Sequence, residues 1–175
     1  MFKIFHMKQI AVLFTVCLLI TALTGCHLKE KRAKQYHDNF LQSVQVVIDS
    51  SLDYGDGIQS YEKARSLQAH EKYSALVNST LAKIETLKDF EGDTTLQFFS
   101  KELLGFYKNT LDKEVQPFLQ TVKAEKFSEQ EIQITDSLMS KLTMTESQYW
   151  ERFNWAEKKF YKEEGLAKVE KWLVD

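Results

Sequence analysis

The sequence predicts an all-α domain, an up-down-up-down four-helix bundle, and three observations predict it. Apolar residues recur at intervals of three and four over four stretches of roughly thirty residues each. One Pro and six Gly among 175 residues are too few turn formers for a sandwich or barrel of short strands. No stretch alternates apolar and polar residues in the manner of a half-buried strand.

The chain opens on Lys3 and Lys8, followed by an uncharged run of fourteen residues from Ile10 to Leu23. Crossing a bilayer takes about 20 apolar residues, so this run is short for an anchor and suits the core of a signal peptide. It ends in Leu23-Thr24-Gly25-Cys26, an aliphatic residue, two small ones and a cysteine. The text resembles the lipobox of bacterial lipoproteins. The thiol of Cys26 would accept a diacylglyceryl group, and the small residues before it would let a peptidase reach the Gly25–Cys26 bond. Residues 1–25 are then a cleaved lipoprotein signal peptide, 26–34 an anchor and tether, and 35–175 the helical domain. The mature chain holds 150 residues with a net charge of −4, because the leader removes two lysines and no acid. Cys17 leaves with the leader. Acylation of Cys26 removes the last thiol, so neither a disulfide nor a catalytic cysteine is expected. Acyl chains contribute about 0.8 kcal/mol per buried CH₂, and two or more hold a protein stably at a membrane. His27 follows the cysteine where an inner-membrane retention signal would carry Asp, which points to the outer membrane. Four basic residues against one acid in Leu28–Lys34 read as a solvated first helical turn.

The first helix is expected over 28–54, with Ala33, Tyr36, Phe40, Val44, Val47 and Ile48 on its apolar stripe. It should stop in Asp53-Tyr-Gly-Asp-Gly57, the densest cluster of helix breakers in the chain. The second, over 60–89, carries Ala64, Leu67, Tyr73, Leu76, Val77, Leu81, Ile84 and Leu87, with Ser60 or Asp56 as its cap. Glu91-Gly92-Asp93 forms a short turn, and Asp93 caps the third helix. That helix, over 94–125, shows Leu96, Phe99, Leu103, Phe106, Tyr107, Leu111, Val115, Phe118 and Val122. Steps of four dominate, so the stripe drifts, and Pro117 predicts a bend. Ser128-Glu-Gln-Glu131 is a capping box opening the fourth helix. Its stripe is Leu138, Leu142, Thr145, Tyr149, Phe153, Ala156 and Phe160, and Gly165 ends it. Residues 166–175, with Val169 and Trp172, suggest a short closing helix.

Di-iron bundles need Glu-x-x-His on two helices, but Lys34 and Leu67 stand three residues before His37 and His70. Attached haem needs Cys-x-x-Cys-His, which is absent. Non-covalent haem held by His37 and His70 stays open, and surface side chains are the plainer reading of both. Asp53 and Asp56 lack the alternating ligands of a calcium loop, since Gly55 and Gly57 hold the third and fifth positions. Ser60-Tyr-Glu-Lys63 matches a Ser-x-x-Lys pattern by letter only. No Gly-rich phosphate loop exists, and near-neutral charge argues against a nucleic-acid partner. No cofactor, no metal and no enzymatic activity are expected.

On the last helix Tyr149, Phe153 and Phe160 share a face, while Trp155 lies about 120° from Tyr149 at 100° per residue. Trp concentrates in binding hot spots, which makes Trp155 the candidate partner contact. The plainer expectation packs it against loops or Trp172.

Phe90-Glu-Gly-Asp93, followed by Leu96, Phe98-Phe99, Leu103-Leu104 and Phe106-Tyr107-Lys108, looks like a segment recurring in uncharacterised bacterial surface lipoproteins. The layout of lipobox, four helices and an aromatic last helix ending in Phe160-Tyr-Lys162 is similar too. The resemblance implies location and fold rather than chemistry. The sequence therefore predicts a non-enzymatic envelope lipoprotein held at the membrane by lipid, with an envelope protein as partner. The alternative is a bundle holding a lipid or tetrapyrrole between its helices.

Overall fold

The computed structural model describes the backbone of residues 2–166 and the side chains of residues 28–166. The chain is all-α, with only two isolated bridges and no strand among the described residues. In order it forms α1 (Phe2–Ile58), α2 (Lys63–Thr86), α3 (Thr95–Thr110), a π-helical turn (Leu111–Val115), α4 (Gln116–Thr121) and α5 (Glu129–Glu163). Expected features at Val169 and Trp172 lie outside the described residues.

The ends set by local chemistry fall where the sequence places them. Ser128 caps α5: its hydroxyl accepts from the Glu131 N–H, and the Glu131 carboxylate accepts from the Ser128 N–H at 2.7 Å. Gly165 takes φ +64, and the Leu166 N–H reaches back to the Tyr161 carbonyl at 3.0 Å, closing the last turn of α5. Glu91 and Gly92 both adopt positive φ in a tight turn closed by two bonds between Phe90 and Asp93. The Asp93 carboxylate accepts the Thr95 N–H at 2.7 Å, so it serves α3 as expected, although Thr94 holds the cap position.

The first predicted stop is overturned. α1 runs through Asp53-Tyr-Gly-Asp-Gly57 and ends at Ile58. Gly57 is there for packing. A Cβ on it would lie 2.4 Å from the Cβ of Ala69, so its bare backbone is what allows α2 to lie this close. Neither Ser60 nor Asp56 caps α2. Glu62 holds the cap position without a side-chain bond, while the Ser60 hydroxyl turns back to the Gly57 carbonyl.

The predicted stripe on α2 also shifts. Ala64 and Leu67 are exposed, and the buried face is Ser66, His70, Tyr73, Val77, Thr80 and Ile84. The steps alternate four and three, as in a coiled-coil seam. On α1 the same rhythm runs through Ala33, His37, Phe40, Val44 and Val47. The Ser66 hydroxyl bonds the Ile58 carbonyl at 3.2 Å and the Tyr73 hydroxyl bonds the Val47 carbonyl at 3.2 Å. Later residues of α2 thus meet earlier residues of α1.

The third rod buries Leu96, Ser100, Leu104 and Thr110 together with a row of Leu103, Tyr107, Leu111, Val115 and Leu119, each four apart. An ordinary helix would rotate such a stripe off the core. The π-helical turn, with the Gln116 N–H bonded to the Leu111 carbonyl, widens the coil and keeps it facing inward. It sits directly before Pro117, which has no N–H to donate. This extra residue in the turn is why Leu119, and not the predicted Phe118, is buried. The rod ends at Thr121, short of the expected 125. On α5, Leu142, Phe153, Ala156 and Phe160 are buried, while Leu138, Thr145 and Tyr149 are half-buried.

At the end where α1 and α2 meet, the connections pair. The Lys63 N–H bonds the Glu125 carbonyl at 2.8 Å, and the Phe127 N–H bonds that of Tyr61 at 2.9 Å. At the other end, residues 28–34, expected as a tether, are helical, and Ala33 is wholly buried. Lys29 pairs with Glu91 at 3.2 Å and Glu164 at 2.9 Å, and Arg32 with Glu91 at 3.1 Å. This stretch of α1 is therefore tied to the Phe90–Asp93 turn and to the end of α5.

Candidate functional site

The side chains of Gly25 and Cys26 lie outside the described residues. α1 is helical through both positions.

Trp155 stands on the outer side of α5 and is 55% exposed. The expected contact with Trp172 lies outside the described residues. Trp155 meets Phe99 of α3 edge-on, with ring centroids 5.7 Å apart. Phe99 in turn meets Phe98 edge-on at 5.1 Å, and Phe98 is 54% exposed. Lys159 Nζ lies 5.8 Å from the Trp155 ring centroid and donates to Thr95 Oγ1 at 3.3 Å. The Arg152–Glu102 pair at 3.4 Å crosses the same helix junction. α3 and α5 together therefore present an aromatic surface in which one ring supports the next. Rings held this way lose little freedom when a partner covers them. The sequence pointed to Trp155 and not to Phe98, whose only local signal is its place beside Phe99, about 100° around the helix.

The two histidines expected at the surface are buried, which corrects that reading. His37 is 2% exposed. Its Nε2 lies 2.7 Å from Glu157 Oε1, and its Nδ1 lies 3.2 Å from both Asp38 Oδ1 and the Tyr161 hydroxyl. In the neutral tautomer that donates Nε2–H to Glu157, Nδ1 accepts from Tyr161. A phenol, an imidazole and a carboxylate in line can move a proton. Here the ring is sealed and offers no face to a substrate, so the arrangement clamps α1 to α5. Burial pushes the Tyr161 phenol above its ordinary range, with Glu157 and Asp38 adding to the effect.

His70 faces Ser74, with its Nε2 3.5 Å from the hydroxyl. Its Nδ1 is buried without a partner. Burial lowers its pKa, opposed by the charge of Asp112. Both histidines belong to the four-and-three seams of α1 and α2. Being polar, they leave no mark in the apolar periodicity.

The structure does not bring the histidines together. Gly57 meets Ala69 and Val47 meets Tyr73, which sets His70 beside the stretch of α1 near residue 53. His37 is about sixteen residues away along that helix, or about 24 Å. They cannot share a haem iron. Among the described residues, no group of three or more His, Cys, Asp and Glu is placed to hold a metal.

A second interior feature joins α1, α2 and α3. Tyr54 stacks on Tyr73 at 4.6 Å, and Tyr73 meets Tyr107 edge-on at 6.0 Å. The Tyr54 and Tyr107 hydroxyls are buried and unpartnered, whereas that of Tyr73 is used by Val47. Burial pushes all three phenols far above their ordinary range, so they remain neutral donors.

The fold and these features define an all-α protein with an exposed aromatic surface and a sealed histidine clamp. No protein-family model, curated protein or solved structure matches the chain. Among the described residues, no helix is long and apolar enough to cross a membrane.

Proposed function

We propose that this protein is a lipid-anchored lipoprotein of the bacterial cell envelope, similar to the uncharacterised surface lipoproteins that its sequence resembles. Residues 1–25 are removed, Cys26 is acylated, and the remainder is an up-down-up-down four-helix bundle at the outer membrane. The bundle is a non-enzymatic interaction module whose partner is another envelope protein, contacted through Phe98 and Trp155.

The observation that carries the reading is Leu23-Thr24-Gly25-Cys26 placed where the fourteen-residue uncharged run stops. Two others support it. Ala33 is packed and Lys29 is paired, so the folded domain begins within about two turns of Cys26, close to where the lipid would sit. The α3–α5 surface has rigid aromatic anchors beside Arg152, residue types enriched at protein interfaces.

The test is the mass of the membrane-extracted product, compared between the native chain and Cys26→Ala. The expected native species lacks residues 1–25 and carries a diacylglyceryl adduct on Cys26. The variant is expected to retain its leader and to gain no lipid. A native product with an unmodified thiol, or with the leader attached, overturns the proposal. For the partner, a photo-crosslinker at position 98 should trap a defined neighbour in cells, and one at exposed Met144 should not. Equal, diffuse labelling from both positions would remove the aromatic surface from the proposal.

A further inference from the structure

Beside the Gly57–Ala69 contact, α1 and α2 border an open groove of about 600 Å³, within the range of roughly 300–1,000 Å³ common to small-molecule sites. Val46, Tyr54, Tyr73 and Leu76 give it apolar walls, and Arg65 and Lys72 stand at its edge. Two observations about these residues point the same way. Arg65 and Lys72 lie two turns apart on one face of α2, and neither makes an ion pair or hydrogen bond among the described residues. The one carboxylate lining the groove, Asp53, is not within ion-pair distance of either.

Two cations to one anion, set along an apolar slot, favour an anionic head on an apolar tail. A guanidinium holds a carboxylate through two parallel N–H donors, while a tail in the slot removes the half-exposed Val46 from water. We propose that this groove binds a single-chain carboxylate of the fatty-acid type as a free monomer. Its head pairs with Arg65 and Lys72, and its tail lies on Val46 and Leu76. Neither the aromatic surface of α3 and α5 nor the lipid on Cys26 takes part.

The test uses the full chain in lipid nanodiscs and a dodecanoic acid bearing a diazirine near its tail end. Labelled positions are mapped by mass spectrometry after irradiation below the micelle concentration. Label is expected on residues 46–57 and 68–76, displaced by unmodified dodecanoate and not by dodecyltrimethylammonium. The double variant Arg65→Gln, Lys72→Gln is expected to lose labelling about tenfold while unfolding at an unchanged temperature, since both side chains lack partners. Three results would overturn the proposal: equal labelling at Phe98 and Met144, labelling indifferent to the double variant, or displacement by the cationic amphiphile as effective as by the anionic one.

Discussion

The two ends of α1 are packed by opposite means. Toward the start of its described side chains, around Tyr36, large rings fill the space. Tyr36 contacts Phe40, Phe90 and Phe160 at centroid distances of 4.8, 5.4 and 5.5 Å, and Phe90 meets Phe160 at 5.7 Å. These four rings join α1, α5 and the turn before α3. Near residue 57, the absence of a side chain does the corresponding job. Gly57, Ser66 and Ala69 let two helices touch, and tyrosines with partly unused hydroxyls fill what remains. At the first end stability comes from buried apolar volume. At the second it depends on how closely two backbones approach.

The comparison can be broken by attacking each end in its own terms. Phe160→Ala should have the largest effect, destabilising by about 3–5 kcal/mol through lost burial and an unfilled cavity. For a chain of this size that lowers the thermal midpoint by roughly 10 °C, readable by circular dichroism. Gly57→Val should cost about 1–3 kcal/mol, because something must shift when a Cβ lands 2.4 Å from that of Ala69. Replacing Gly with a larger residue inside an exposed helix usually gains stability instead. Adding Ala69→Gly should recover part of the loss. If the pair of changes is merely additive, close approach is not what Gly57 provides.

Smaller effects sharpen the contrast at the Gly57 end. Tyr73→Phe removes a bond to the Val47 carbonyl and should cost about 1 kcal/mol in urea unfolding. Tyr54→Phe removes an unpartnered hydroxyl and should be neutral or stabilising. Equal losses from both would contradict the assignment of partners. The smallest effect is in pH. Burial holds the His70 pKa below its ordinary 6.5, against the pull of Asp112. As pH falls through that value the unfolded chain takes up a proton that the folded chain resists, so stability declines. Urea midpoints at pH 7.5 and 5.5 should differ less in His70→Gln than in the native chain.

The legible parts of this fold are those whose cause lies within a few residues. The Ser128–Glu131 box, the Gly165 stop and the Glu91-Gly92 turn each satisfy backbone groups from nearby chain, and all three are in place. The drift of the third stripe was legible as steps of four, although its resolution through a π-helical turn was not. The candidate site was legible in one residue, Trp155, and its support was not, because Phe99 lies 56 positions away in the chain.

The sequence alone determined that the chain is helical, where most of the rods begin, and which large side chains seek the interior. Periodicity and capping act locally, and no distant partner is needed to satisfy them. Tertiary structure decided the rest: that Gly57 is an approach rather than a stop, that His37 and His70 face inward, and that Trp155 rests on Phe99. Each depends on which helix lies opposite. The same glycine ends a helix when water surrounds it and extends one when another backbone needs the room.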